Sequence, residues 1–304
     1  MSREKKTKTK TLNYKGSDRV FNTCLTIFFV IFLIIIAYPL IFVVSSSFSS
    51  GNAVSMGRVI LWPVEFTTIG YRLVFSHKAV WTGYMNTILY TLVGTAINIV
   101  MTVLTAYPLS RRQFQAKSLY MKFFLVSMFF GGGLIPTYLL VSNLGLVDTR
   151  AVMVVLGALS LGNAITMRAF FQTSIPYELL ESAKMDGISD VGFLMKIVLP
   201  LSKAIMAVIT LYYMVGHWNS YFTAMIYLRQ RELYPLQLII RDVLNASKVD
   251  VSQMNDQSLI AQLSGSSEVM KFALIIMASL PMLILYPFVQ KFFEKGVMVG
   301  SLKG

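Results

Sequence analysis

The chain has 304 residues, 55% of them hydrophobic and 13% charged, with a formal net charge of +13 and a mean hydropathy of +0.64. That apolar content exceeds what an ordinary water-soluble domain carries and places the chain in a bilayer. One cysteine and two histidines exclude a disulfide framework, and no His, Cys, Asp or Glu residues fall at metal-ligand spacing.

The chain opens with a basic tail, residues 1–19, whose SREKKTKTK run reads as a solvated anchor near anionic lipid. About 20 apolar residues in a helix span a bilayer, because lipid offers the backbone no hydrogen-bond partner. Six stretches qualify: 21–44, 83–109, 118–141, 151–171, 201–226 and 268–292. The first is too long for a cleaved signal and holds Cys24, a small packing residue. Between the first and second lies a connector, 45–82, with Trp62, Pro63 and Trp81. In the third, Gly131, Gly132 and Gly133 before Pro136 look only superficially like a phosphate loop; small residues there permit a kink or close helix packing. With no GxxxxGK[ST] run anywhere, ATP hydrolysis by this chain alone is not expected.

After the fourth span the character changes abruptly. The stretch ESAKMDGISDVGFLMKIVLP, residues 181–200, carries acids, lysines and glycines between two oily segments. Thr173 or Ser174 is expected to cap a new helix, Pro176 fits its first turn, and Glu178 and Glu181 suit its positive end. Gly187 allows a stop. Leu180, Ala183 and Gly187 give a narrow face suited to shallow docking, while Glu181, Ser182 and Lys184 project elsewhere. A second short helix begins at Ser189, with Phe193, Leu194 and Ile197 on its apolar side, and is expected to break at Pro200. Periodicity alone leaves two readings open, a helix-turn-helix elbow or an amphipathic loop lying on lipid.

The fifth span carries TLYYMVGHWNSYF, residues 210–222. Tyr212, Tyr213, His217, Trp218 and Asn219, with Tyr221 beside them, are the candidates for a substrate pathway, because they gather aromatic faces and a few polar groups that a bound solute could meet in one half of a span. An interfacial aromatic belt is the competing reading for any one of them. The segment 229–267 is long and polar, with Arg229, Arg231, Arg241 and Asp242, and is placed to touch a soluble partner or its cargo.

Sorting charge by predicted side gives 18 Lys and Arg against 7 acids on the side of the N-terminus, and 8 against 7 on the other. That asymmetry puts both termini in the cytoplasm and argues against nucleic acid as a partner. No ionisable group occupies a span centre, as an ion-coupled transporter would need. A membrane-embedded enzyme lacks a catalytic constellation; Ser266 or Ser267 with His217 is too bare to form one.

The spacing Glu181, Ser182, Ala183, three residues, Gly187, nine residues, Ile197, one residue, Leu199, Pro200 closely resembles the EAA loop of ABC importer permeases, with Ser182 where that family often has alanine. The ending Lys295, Gly296, three residues, Gly300, two residues, Lys303, Gly304 resembles the tail of the second permease in importers of the maltose and oligosaccharide type. The resemblance implies an all-α membrane protein of six transmembrane helices with the cytoplasmic elbow between the fourth and fifth. It divides the chain into a tail at 1–19, a first helix and external loop at 20–82, a permease core at 83–292 with the EAA loop at 174–200, and a tail at 293–304. It further implies that Glu181, Ser182, Ala183, Asp186, Gly187, Ile197, Leu199 and Pro200 seat on an ATPase subunit, and that Gly296, Gly300, Lys303 and Gly304 reach toward the ATPase pair. No cofactor is expected in this chain; ATP and Mg belong to the ATPase subunits. The implied partners are a second homologous permease, two ATPase subunits, an extracellular solute-binding lipoprotein, membrane lipid and a carbohydrate. The expected site is the bacterial plasma membrane. The external arginines add an acidic oligosaccharide, such as a uronate, as the cargo to test.

Overall fold

A computed structural model describes residues 16–246 and 257–301. Among these residues all regular structure is helical. Three helices are long and apolar enough to cross a membrane, or up to five if each of two sharply bent pairs counts as one crossing. The first, α1, runs Gly16–Ser47, and short helices α2 (Gly51–Ser55) and α3 (Ile69–Ser76) follow it. The central helix α4, Lys78–Ser110, packs against α12 (Lys203–Trp218), α8 (Leu161–Ser174), α7 (Arg150–Val155) and α14 (Leu236–Ala246). Helix α15, Gln257–Ser301, closes the bundle against α1, α2, α3 and α12.

Three of the expected spans are interrupted, the third span at the glycine run that permits a kink. The third is two helices, α5 (Lys117–Phe129) and α6 (Leu134–Asn143), bent by 112° at the glycine run, where Gly133 takes φ +81°. The fourth divides into α7 and α8 at residues 156–160, where Gly157 has φ +84°. The fifth divides into α12 and α13 (Phe222–Tyr227) after the cap Asn219. Averaged hydropathy passes over these breaks because the residues in them are small rather than charged.

Helix α4 is the ruler of the fold. Thr87, Thr91, Thr95, Asn98 and Thr102 recur at steps of three and four, so one face of this apolar helix is a buried polar seam. Toward its N-terminal end, Asn86 Nδ2 donates to the carbonyl oxygens of Glu232 (2.6 Å) and Tyr234 (3.1 Å). Tyr90 OH donates to Leu233 O at 2.8 Å, and the Leu236 N–H donates to Thr87 Oγ1 at 2.8 Å. At its C-terminal end, Arg168 Nε donates to Leu109 O at 3.0 Å, closing a carbonyl of the last turn with a cation where the helix dipole favours one. The two ends, near Asn86 and near Tyr107, lie about 30 Å apart at 1.5 Å per residue.

Candidate functional site

The elbow is built at the C-terminal end of α4. Helix α9 (Tyr177–Met185) carries Glu178 in its first turn and Lys184 in its last, both matched to the helix dipole. Its start differs from the expected one. α8 continues through Thr173 and Ser174, and Pro176 is the N-cap with no side-chain bond. Thr173 Oγ1 bonds back to Ala169 O at 3.1 Å, and Pro176 bars Ile175 from helical geometry, which ends α8 without help from a hydroxyl.

The end of α9 follows the expectation and adds detail. The Ile188 N–H donates to Ala183 O at 2.9 Å and the Gly187 N–H to Lys184 O at 3.1 Å. This paired closure needs a left-handed residue between them, and Gly187 supplies it with φ +73°. Two residues later Ser189 Oγ accepts from the Gly192 N–H at 3.1 Å and starts α10 (Asp190–Phe193). The break expected at Pro200 is absent. The chain passes through a π-helical turn, Leu194–Val198, and a short α11, Leu199–Leu201, and bends by 83° only at Ser202. The wider turn gives the proline ring the room that an α-helix denies it at the fourth preceding carbonyl.

The face formed by Leu180 and Ala183 docks inward, not outward. Both are buried, at 2% and 4% exposure, in a core with Phe171, Phe193, Val198 and Tyr213, against which Ile197 and Leu199 also pack. Outward stand Glu181, Ser182, Asp186, Gly187 and Pro200, and with them two residues that sequence reasoning missed, Met185 at 89% and Val191 at 70% exposure. Ser182 Oγ donates to Glu178 O at 3.1 Å, so its hydroxyl is satisfied within α9 and leaves the core unchanged. The elbow is also tied to α4 and to the segment that follows it: Tyr107 OH donates to Asp190 O at 3.0 Å, Gln113 Nε2 to Tyr177 OH at 3.0 Å, and Lys184 Nζ to Gln113 Oε1 at 3.2 Å. An ion pair between Lys184 and Asp190, 3.6 Å, bridges its two helices. Gly296 and Gly300 fall in the last turns of α15, whereas Lys303 and Gly304 lie outside the described residues.

Halfway along α4 a second arrangement forms where α12 comes closest. A Cβ at Gly94 would stand 2.4 Å from the His217 ring, so only glycine admits the imidazole there. His217 Nε2 and Asn98 Oδ1 are 2.7 Å apart, and Asn98 Nδ2 donates to Gly157 O at 2.9 Å. Tyr213 OH shares a hydrogen bond with Thr102 Oγ1 at 2.7 Å and accepts from the Ser160 N–H at 3.1 Å. Asn98, Gly157, Tyr213 and His217, together with Tyr212, Ser220 and Thr223, line a cleft of about 200 Å³. The interruptions at 156–160 and 219–221 both border it, which lets non-helical backbone sit at this depth.

Of the five pathway candidates, the cleft gathers Tyr212, Tyr213 and His217. Trp218 turns away: its Nε1 donates to Ala278 O at 2.9 Å and its ring meets Tyr84 edge-on at 6.1 Å. Asn219 Nδ2 bonds back to Val215 O at 3.0 Å, and the residue caps its own helix. Asn98, Ser220 and Thr223 were missed. The three-and-four spacing of the α4 seam was the signal that pointed to Asn98.

Beyond the cleft, at the end of the bundle opposite the elbow, Asp148 joins the loop after α6 to the segment after α13. Its Oδ1 accepts the N–H groups of Arg229 (2.8 Å) and Gln230 (3.0 Å), and its Oδ2 accepts from Gln230 Nε2 at 2.9 Å. The backbone N–H groups of Gln230 and Arg229 hold its carboxyl below the usual carboxylate range. Arg229 reaches Tyr138 OH at 3.3 Å and Arg241 lies 5.6 Å over the Tyr221 ring. Among the described residues, none of Arg229, Arg231 and Arg241 forms an ion pair with a carboxylate.

No protein-family model matches the chain. It is 37% identical over 290 residues to the polygalacturonan/rhamnogalacturonan transport system permease protein YtcP of Bacillus subtilis, covering 94% of this chain and 99% of that protein. It is 27% identical to the maltodextrin transport system permease protein MalD of Streptococcus pneumoniae, over 89% of this chain and 91% of that one. A solved structure, of a bacterial ABC transporter involved in the import of the acidic polysaccharide alginate, superposes with a TM-score of 0.84 at 36% identity, over 93% of this chain and all of the matched chain.

Proposed function

The chain belongs to the permease subunits of carbohydrate ABC transporters, and from that premise we propose that it imports an acidic oligosaccharide by alternating access, driven by separate ATPase subunits. The observation that carries the coupling is the elbow, a stiff two-helix knob presenting Glu181, Met185, Asp186 and Val191 beyond the end of the bundle. The bond to Tyr107 transmits a push on this knob to α4, the bond to Gln113 transmits it to the segment after α4, and the bend at Ser202 transmits it to α12. Both helices meet at the cleft of Asn98 and His217, so a motion begun at the elbow arrives at that cleft.

Six crossings are counted as α1, α4, α5 with α6, α7 with α8, α12 with α13, and α15. Supporting this, Lys117 at the start of α5 lines the elbow end, while Tyr138 of α6 stacks on Tyr227 at the other end, 5.8 Å away. The elbow end faces the cytoplasm, where Glu181 pairs with a basic group of the ATPase, which holds ATP and Mg, and the glycines of the C-terminal tail approach the same subunits. The opposite end faces a solute-binding lipoprotein. The cleft, about 200 Å³, is smaller than a site that encloses an oligosaccharide, so this chain supplies one wall and a second, homologous permease the other.

Acidic cargo is favoured because, among the described residues, the side chains of Arg229, Arg231 and Arg241 form no ion pair at the outer end, and because the alginate importer shares 36% identity with this chain. Uptake by the reconstituted four-subunit complex, with its binding protein, should prefer oligogalacturonate over neutral oligosaccharides of equal length by about tenfold or more, as expected of one directed charge pair. Equal uptake of the two, or a preference for the neutral set, would overturn the acidic assignment.

A further inference from the structure

A second cavity, about 450 Å³, opens at the elbow end between the last residues of α4, the start of α5 and the α8–α9 junction. Arg111, Arg112 and Lys117 line it, with Gln172, Thr173 and the single acid Glu178. Among the described residues none of the three cations forms an ion pair. Their guanidinium groups are held by rings instead: Arg111 lies 4.3 Å over Tyr107 and 4.8 Å over Phe193, and Arg112 5.1 Å over Tyr177. A ring face fixes the fork without neutralising it, so both charges stay available to a ligand. The Nε of Arg111 is in addition buried without a hydrogen-bond partner.

We propose that this cavity binds a phosphate-bearing anion, supplied as the headgroup of an anionic phospholipid. Two fixed guanidinium groups and an ammonium facing one carboxylate suit a phosphate diester better than a lone carboxylate. The position suits a lipid: Arg111 follows directly on a 33-residue membrane-length helix, and α5 carries exposed Leu119 and Phe123 beyond Lys117, apolar surface for an acyl chain. The wall formed by Pro176, Tyr177 and Glu178 begins the elbow, so a bound headgroup ties α4 to α9 and stiffens the coupling path. The assignment rests on the proposed function only for the leaflet that provides the lipid.

The test is hydrogen exchange over residues 110–117 and 172–178 in the intact complex, a readout that needs no transport. In nanodiscs of phosphatidylglycerol the exchange should be about tenfold slower than in phosphatidylcholine, and the difference should vanish in the Arg112→Gln/Lys117→Gln variant. Slowing in phosphatidylcholine on adding inorganic phosphate, again abolished by the variant, would support the phosphate site with a soluble source. No slowing in either arm, or protection in phosphatidylcholine that appears only when the ATPase subunits are present, would overturn it. Full uptake without lipid-dependent protection would sink this site alone and leave the transport function standing.

Discussion

Replacing Gly187 by tryptophan is expected to abolish uptake, by about a hundredfold or more, while the subunit still inserts and assembles with its partner permease. Gly187 holds φ +73° at the tip of the elbow and, among the described residues, no group apart from its two chain neighbours comes within 4 Å of where its Cβ would stand. The chain itself therefore tolerates bulk there; the left-handed conformation costs a non-glycine residue about 1–2 kcal/mol. What bulk obstructs is whatever receives the elbow. Gly187→Asn separates the two effects, because asparagine accepts the left-handed region with little volume added outward, and it should keep most of the uptake. If the tryptophan variant transports normally with ATP use still coupled, the elbow does not enter a close-fitting seat.

Trp218→Ala is the variant expected to lose most stability, about 3 kcal/mol, read as a lower melting temperature of the purified subunit or complex. The indole is 5% exposed, bonds to Ala278 O, and packs on Tyr84, whose hydroxyl donates to Met277 O. It thus pins α12 and α4 to α15 from both sides of one contact. Trp218→Phe keeps most of the volume and loses the indole bond, so it should cost about 1 kcal/mol. An alanine variant with unchanged melting but altered sugar preference would place this side chain in the pathway instead.

How far the sequence carried depends on the range over which each residue acts. The turn of the elbow was legible because its determinants are local, Gly187 for a stop and Ser189 for a cap; its start was not, since α8 runs on through Ser174 and Pro176 itself is the N-cap. Its outward side was misjudged, because the apolar face of Leu180 and Ala183 reads alike whether it meets a partner or the chain's own Phe171 and Phe193. Hydropathy marked the apolar stretches, and the glycine run at 131–133 was read as allowing a kink, but the breaks at 156–160 and 219–221 were not visible, since a few glycine, serine and asparagine residues barely lower an average over 20 residues. In the fifth span the aromatic cluster was visible and its facing was not. Tyr213 and His217 share one side of the α12 axis, and a rotation of about 100° per residue carries Trp218 to another. Only the packing of α4, through Gly94, fixes which side meets the cleft.

The lever itself is tested by a thiol at the tip of the elbow. With the exposed native Cys24 changed to serine, a Met185→Cys variant offers one thiol at the most exposed apolar point of the two elbow helices. Its labelling by a water-soluble maleimide is compared between the permease pair alone and the complete complex, through nucleotide-free, ATP-bound and hydrolysing states. Occlusion by the ATPase subunits in every state is the predicted result. Labelling of the complete complex as fast as that of the bare permease pair, in all three states, would contradict it.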